Sequence, residues 1–300
     1  MPLSQWLQLL ALAVIWGSSY MLLGLALREL PPLTIVMLRL GIAALVMVAV
    51  VQALRLAWPV SFRAWLPFLV MGLFNNVIPF TAIGYGQLEI ASGLTSVIVA
   101  TTPLWTLLLS RAFVAGTRIG GLQVAGILFG IVGVCVLFGP EILAGKRTTL
   151  FGMMLVLSAA VSYGCAGAWG GRLRAVPPMV STGCQLICSA LVMAAVAVAV
   201  DKPWTLAMPG GTTVFAVLVL AVISTALAYV VFYRVLAASG GTNAMLVTLM
   251  MPPISIWLGI VVLDETFTMR YALGAVIIAA GLLVIDGRMP RAMARRMAGS

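Results

Sequence analysis

The sequence predicts an all-α integral membrane protein with ten transmembrane helices, arranged as two inverted five-helix repeats around a central cavity. Three observations lead to this fold class. Hydrophobic residues make up 63% of the 300 residues and charged residues only 8%, and the mean hydropathy is +1.18. Apolar runs of bilayer-spanning length follow one another along the chain. Residues of the first half recur in the second half at an almost constant offset.

The composition narrows the kind of protein further. The formal net charge is +10, but the basic residues are scattered singly between apolar runs, so we assign them to membrane topology and expect no nucleic-acid partner. Histidine is absent, which removes the commonest metal ligand and the usual proton relay. The cysteines fall inside predicted spans and are interpreted as packing residues: Cys135, Cys165, Cys184 and Cys188. We therefore expect no metal site and no cofactor.

Ten apolar stretches have about the 20-residue length needed to cross a bilayer. The connections between them are short, and none is long enough to hold a soluble domain. The predicted spans are Trp6–Leu27, Leu33–Leu54, Trp65–Tyr85, Ala91–Val114, Ile119–Phe138, Phe151–Gly171, Met179–Val200, Thr213–Tyr233, Asn243–Leu263 and Tyr271–Ile285.

Arginine and lysine in short loops indicate orientation, because they concentrate on the cytoplasmic side of a membrane protein. With a cytoplasmic N-terminus, that side holds eleven basic residues: Arg55, Arg63, Arg111, Arg118, Arg172, Arg174, Arg234, Arg288, Arg291, Arg295 and Arg296. The other side holds five: Arg28, Lys146, Arg147, Lys202 and Arg270. Both termini are thus predicted to be cytoplasmic in a multi-pass protein of the bacterial inner membrane, with residues 288–300 as a basic tail.

The two halves of the chain carry matching residues. Arg28 matches Arg174 (174 − 28 = 146), and Pro103 matches Pro252 (252 − 103 = 149). Further matches are Pro31 and Pro32 with Pro177 and Pro178, Tyr85 with Tyr233, and Leu88 with Leu236. Because each half has five spans, an odd number, the second half enters the membrane from the opposite side. We predict a first repeat over residues 1–145 and a second, inverted repeat over residues 146–287.

Prolines interrupt one apolar segment in each half, in VIVATTPLW (97–105) and in LVTLMMPPI (246–254). A proline ring removes a backbone donor and clashes with the preceding turn, so each helix should bend there. In transporters, two interrupted helices at matching positions indicate the substrate site. We interpret Pro79, Pro103 and Pro252 as hinge residues. Ordinary kinks are the alternative, since proline is common in membrane helices.

Arg39 is the one charge predicted within a span, roughly 9 Å from its outer end at 1.5 Å per residue. Glu89 and Glu265 are predicted at the same level, so we expect Arg39 to make a structural salt bridge or a helix-end contact. The alternative is a bidentate contact with a substrate carboxylate.

The acidic residues all lie in loops or at span edges. Without a carboxylate at midspan, exchange of protons for an organic cation is not expected.

Other polar and aromatic side chains within the spans suit substrate binding. Rings can stack on an organic solute, and amides and hydroxyls can bond its polar ends, so a zwitterionic or neutral solute is indicated. Two adjacent asparagines point in different directions from a helix, so at least one of them should meet protein or water. The predicted substrate-binding residues are Trp16, Ser19, Asn75, Asn76, Thr101, Trp105, Tyr163, Tyr229, Thr248 and Met251.

Four segments carry a resemblance to a known family: AVIWGSSY, PPLTIVMLRLGIAALV, ASGLTSVIVATTPLW and DETFTMRYALGAVIIAAGLLVI. Together they resemble the drug/metabolite transporter superfamily, in particular its ten-helix EamA-type branch, and are similar to the YddG-type exporters of aromatic amino acids. The resemblance covers nearly the whole chain. It implies a basket of two five-helix halves, in which the third, fourth, eighth and ninth helices bend during transport and the fifth and tenth pack outside the cavity.

These observations predict a secondary transporter that exports small organic metabolites, in particular aromatic or other neutral amino acids, by alternating access. The chain has no ATP-binding motif, no HExxH or GxSxG motif and no paired midspan acids, so we expect gradient-driven transport and no enzyme. Export of other metabolites or drugs is one alternative, and a membrane scaffold or receptor is another. Gly126 and Gly130 have GxxxG spacing, which indicates intramolecular packing or weak dimerisation of an otherwise monomeric protein.

Overall fold

The computed structural model describes residues 3–114, 119–244 and 246–286 of the 300-residue chain. These residues form helices joined by short connections and contain no β-strand. Nine of the described helices are long and apolar enough to cross a membrane, and Met269–Ile285 is a shorter apolar helix. The predicted all-helical membrane architecture is confirmed. The predicted basic tail, residues 288–300, lies outside the described residues.

We label the helical units α1 to α10 in chain order; some contain a turn of different geometry or a break. They are α1 Leu3–Ala26, α2 Pro32–Ala53, α3 Phe62–Gly86, α4 Ser92–Phe113, α5 Gly121–Leu143, α6 Arg147–Leu173, α7 Pro178–Val200, α8 Gly211–Ala238, α9 Leu246–Leu263 and α10 Met269–Asp286. Proline begins α2 and α7, where its missing N–H costs little because the first amides of a helix have no intrahelical acceptor.

Three of these units are irregular near the middle of the bundle. A π turn of five residues, Leu73–Val77, lies within α3, and a π turn of six residues, Val222–Leu227, lies within α8. Their starts are 149 residues apart (222 − 73 = 149), an offset that the sequence repeat shares. The unit α4 is broken between Ser92–Val99 and Thr102–Phe113. Turns of this kind in a helix are frequent at functional sites.

The two predicted proline interruptions differ in the structure. Pro103 lies at the start of the second segment of α4, so the interruption in the first half is present. Pro252 and Pro253 lie inside α9, which is helical throughout, so α9 is not divided into two segments as α4 is, and the bend at Pro252 stays a prediction. A proline inside a helix removes one backbone hydrogen bond and bends the helix without having to end it. The hinge role of Pro79, Pro103 and Pro252 stays a prediction.

The main helix contacts join the first half of the chain to the second. The helix pairs are α2 with α7, α5 with α10, α1 with α9, and α4 with α6. By the sequence repeat, α1 corresponds to α6 and α4 corresponds to α9. The pair α1 with α9 in one half-to-half contact is thus equivalent to the pair α6 with α4 in the other. Buried apolar side chains of these four helices belong to one core between the halves, whereas α5 and α10 pack mainly on each other.

Glycines allow α5 and α10 to approach closely. A Cβ added to Gly126 would lie 2.6 Å from the carbonyl oxygen of Gly281, and one added to Gly133 would lie 2.6 Å from Ile278 Cγ1. A Cβ on Gly130 would instead collide with the Leu104 side chain of α4. Both glycines of the GxxxG pattern therefore pack within the chain.

Replacing Gly126 by alanine should destabilise the fold by about 1–3 kcal/mol, because the added methyl group must displace the α10 backbone. Gly139→Ala is the matched control, since the same change in the same helix meets nothing within 4 Å. The thermal unfolding midpoint of the purified protein in detergent should fall for Gly126→Ala and stay unchanged for Gly139→Ala. Equal midpoints for the two variants would contradict the described packing of α5 on α10.

Candidate substrate cavity

A cavity of about 350 Å³ lies among α1, α2, α3, α4, α6, α8 and α9. Its volume suits a small organic solute. Most of the predicted substrate-binding residues line it, namely Trp16, Ser19, Asn75, Tyr163, Tyr229, Thr248 and Met251. Of the predicted hinge residues, Pro103 lines this cavity, whereas Pro79 and Pro252 do not.

Asn76, Thr101 and Trp105 were also predicted to bind substrate, but they lie outside the cavity lining. The Thr101 hydroxyl donates to the carbonyl oxygen of Ile98 at 2.6 Å, and Trp105 Nε1 donates to the Thr101 hydroxyl at 3.2 Å. These side chains serve the break in α4, where backbone groups lose their helical partners. Backbone groups at a helix break need hydrogen-bond partners, and nearby polar side chains supply them. The polarity of Thr101 and Trp105 is therefore not by itself evidence for substrate binding.

Aromatic side chains form much of the cavity wall. The ring centroids of Trp16 and Phe232 are 5.5 Å apart at an interplanar angle of 42°, and those of Phe232 and Tyr233 are 5.5 Å apart in an edge contact. Tyr163 and Tyr229 line the cavity from α6 and α8. Rings in these positions can hold the apolar or aromatic part of a solute.

The two adjacent amides of the α3 π turn have different surroundings. Asn75 lines the cavity, and its Nδ2 donates to the Tyr229 hydroxyl at 2.7 Å. That hydroxyl donates to Asn76 Oδ1 at 2.9 Å, and Asn76 Nδ2 donates to the Ser189 hydroxyl at 3.1 Å. Asn76 is fully buried. It therefore ties α3 to α7 and α8, while Asn75 and Tyr229 remain at the cavity surface.

Arg39 is the one charged residue among the described residues that line the cavity. Its Nε donates to the Thr225 hydroxyl at 2.8 Å, and its guanidinium carbon lies 3.9 Å from the centroid of the Phe80 ring. Thr225 belongs to the π turn of α8 and donates in turn to the carbonyl oxygen of Leu220 at 2.8 Å. The side chain of Arg39 is thus held between α3 and α8.

The salt bridge predicted between Arg39 and Glu89 or Glu265 is wrong. Both ion pairs found in the described part of the chain involve Glu141 instead. Glu265 accepts hydrogen bonds from the amide and hydroxyl of Ser92 at 2.7 and 2.8 Å, at the start of α4. The start of a helix has several amides without intrahelical acceptors and the positive end of the helix dipole. These groups stabilise the Glu265 carboxylate without a contact to Arg39.

Several lining residues were missed by the sequence analysis. They are aromatic or hydroxyl side chains in apolar spans, where packing is the usual role: Phe80, Thr106, Phe232 and Tyr233. One signal could have identified two of them. Tyr229, Phe232 and Tyr233 have the i, i+3, i+4 spacing that places side chains on one face of a helix, and Tyr229 was already a predicted binding residue.

The two ends of the cavity differ. We call the end of the bundle where α1 begins the terminus end, and the end where α1 stops the far end. Toward the terminus end the cavity is lined by the exposed Gly167 and the partly exposed Leu236. Toward the far end it is lined by apolar side chains that are at most 6% exposed: Leu23, Ile35, Val36 and Ile83. Buried side chains therefore close the cavity at the far end, and its more exposed lining lies toward the terminus end.

Three carboxylates join the two halves at the far end, and each bonds the start of a helix in the other half. Glu29 accepts a hydrogen bond from the Gly210 amide at 2.6 Å. Asp201 accepts from the amide and the hydroxyl of Thr34 at 2.8 and 2.9 Å. Glu265 bonds the start of α4, as described above. We call Glu29, Asp201 and Glu265 the far-end carboxylates. Their bonds help to keep the far end closed.

Comparison with known proteins identifies the family. The model of the EamA-like transporter family matches residues 4–139 and, a second time, residues 150–286. The chain belongs to the EamA-like transporter family. One match falls on each half of the chain, so the EamA unit occurs twice, and the protein is a membrane transporter by family.

Relatives of this EamA protein cover nearly its whole length. An "Uncharacterized transporter YoaV" from Bacillus subtilis (strain 168) is 25% identical over 283 residues, which are 93% of this chain and 95% of the relative. A "Probable amino-acid metabolite efflux pump" from Escherichia coli (strain K12) is 26% identical over 287 residues, which are 92% of each chain. A solved crystal structure shares the fold, with a TM-score of 0.68 and 21% identity over 99% of both chains.

Replacing Glu265 by glutamine should loosen the far end, because a neutral amide holds the start of α4 less strongly than a carboxylate. A loss of about 1.4 kcal/mol would shift the balance between closed and open far ends about tenfold. Leu88 and Met208 are exposed, one in each half. With spin labels at these two positions, double electron–electron resonance should then show a larger fraction of long label-to-label distances. Asp264→Asn is the control, since it removes a neighbouring exposed carboxylate. Identical distance distributions in Glu265→Gln and wild-type protein would contradict the role of Glu265.

Proposed function

We propose that the protein is a secondary transporter that exports small organic metabolites, in particular aromatic and other neutral amino acids, across the bacterial inner membrane. The observation that carries this proposal is the lining of the cavity, in which the buried guanidinium of Arg39 lies on the same wall as aromatic side chains. A solute with one anionic end and an apolar body suits such a cavity. The name of the E. coli relative, an amino-acid metabolite efflux pump, supports both the solute class and the direction of transport.

Alternating access requires that the halves, residues 1–145 and 146–287, form an inverted repeat around the cavity. Four observations support this arrangement. The family model matches twice, each half has five helical units, and the π turns lie at matching positions. The helix pairs α1 with α9 and α4 with α6 also exchange when the halves are exchanged. If each half adopted the conformation that the other half has now, the far end would open and the terminus end would close.

Orientation follows from the basic residues of the loops. With both termini in the cytoplasm, the terminus end is cytoplasmic, and the described conformation takes up solute from inside the cell. Export then requires the far-end carboxylates to release their helix starts. The partners of the protein are the solute and the lipid bilayer, and no cofactor is required. The described residues of one chain line the cavity from both halves, which supports transport by a monomer.

Roles within the cavity follow from the chemistry of the lining. We assign the rings of Trp16, Tyr163 and Phe232 to the apolar body of the solute. The hydroxyl and amide groups of the lining that suit its polar ends are those of Ser19, Asn75, Tyr229 and Thr248, and Met251 adds an adaptable apolar contact. Asn76, Thr101 and Trp105 support this surface from behind.

Counterflow of labelled solutes in proteoliposomes tests this function. Phenylalanine and other neutral amino acids should exchange, whereas organic cations such as tetraphenylphosphonium should not, since no carboxylate lines the described cavity. Trp16→Ala should slow phenylalanine exchange about tenfold through loss of a ring contact. Trp204→Ala is the control, because this tryptophan is 68% exposed and outside the cavity. Exchange of cations without exchange of amino acids would overturn the proposal.

A further inference from the structure

We propose that Arg39 binds the carboxylate of the transported solute, so that a free carboxylate is the group by which the protein recognises what it carries. This inference rests on the proposed function and names the chemical class of its solutes. It also replaces the structural role that the sequence predicted for Arg39.

The charge of Arg39 has no counterion among the described side chains. Six of the seven acidic residues of the chain have described side chains, and none of these six forms an ion pair with Arg39. Only 8% of the residue is exposed. A buried charge without a partner is costly in a membrane protein, and such charges persist where function requires them. A solute that brings its own negative charge removes this cost.

The guanidinium is positioned on two sides. The Phe80 ring covers one face, with the guanidinium carbon 3.9 Å from the ring centroid, and Thr225 holds Nε at 2.8 Å. The Thr225 hydroxyl hydrogen is directed to Leu220, so its oxygen lone pairs are available to Arg39. The terminal nitrogens Nη1 and Nη2 make no hydrogen bond or ion pair within the described part of the chain. They form a planar fork, the geometry that binds a carboxylate through two parallel hydrogen bonds.

The rest of the lining selects for the same solutes. No acidic residue lines the described cavity, so a solute that carries only a positive charge would face Arg39 without compensation. The ammonium group of an amino acid can donate hydrogen bonds to the amide and hydroxyl oxygens of the lining, such as those of Asn75 and Tyr229. Arg39 therefore attracts a solute that has a carboxylate and repels a solute that has only a positive charge. Both effects discriminate against amides and amines.

Binding to purified protein in detergent tests this inference independently of transport. The probes are phenylalanine, 3-phenylpropionate, which lacks the ammonium group, and phenylalaninamide, which lacks the carboxylate. The readout is the shift of the thermal unfolding midpoint with ligand concentration. Both carboxylates should bind, and the amide should bind at least about tenfold more weakly, a difference of about 1.4 kcal/mol. Equal binding of phenylalanine and phenylalaninamide, or binding of neither carboxylate, would overturn the inference.

Variants locate the effect at Arg39. Arg39→Gln should abolish the preference for phenylalanine over phenylalaninamide, and Arg39→Lys should retain part of it, since lysine keeps the charge but loses the fork. Arg63→Gln is the control, because it removes an exposed arginine at the start of α3 and should leave the preference unchanged. A full preference in Arg39→Gln would overturn the inference. If the variant does not fold, the comparison of the three probes on wild-type protein still decides. Carboxylate binding without phenylalanine counterflow would sink the proposed function and leave the inference standing.

Discussion

A bilayer interior offers no hydrogen-bond partners, and this constraint governs where the chain can be irregular. Backbone groups freed at midspan must bond to protein or face a cavity. The two π turns and the break in α4 meet this requirement, since Asn75, Ser224 and Ala100 from these segments all line the cavity. Hydroxyl groups satisfy freed carbonyls nearby: Ser162 donates to the Phe74 oxygen at 2.7 Å. The irregular backbone and the cavity therefore depend on each other.

The same constraint separates the charges of the protein into two places. The cavity holds a cation and no described anion, so its electrostatic preference is for an anionic group. The far-end carboxylates lie where three helix starts need acceptors, and each bond crosses between the halves of the chain. Solute recognition and closure of the far end thus use different charged residues. Closure can be weakened without changing the cavity, and the cavity can be changed without weakening closure.

Hydropathy and loop spacing were sufficient to predict the helices, because bilayer thickness fixes the length of a span. The break at Pro103 was also predictable from the missing donor. The continuity of α9 through Pro252 and the π turns of α3 and α8 were not, since no residue type specifies an extra residue in a turn. The counterion of Arg39 was mispredicted because depth alone cannot tell whether Glu265 meets a guanidinium or the free amides of a helix start.

The claim that one cavity is reached alternately from the two sides is tested most directly by thiol accessibility. The measurement uses a protein with Ser19→Cys at the cavity wall and its native cysteines replaced by serine. A membrane-impermeant thiol reagent should react with Cys at this position from either side of the membrane, and saturating phenylalanine should slow both reactions. Reaction from one side only, at the same rate with and without phenylalanine, would contradict the account.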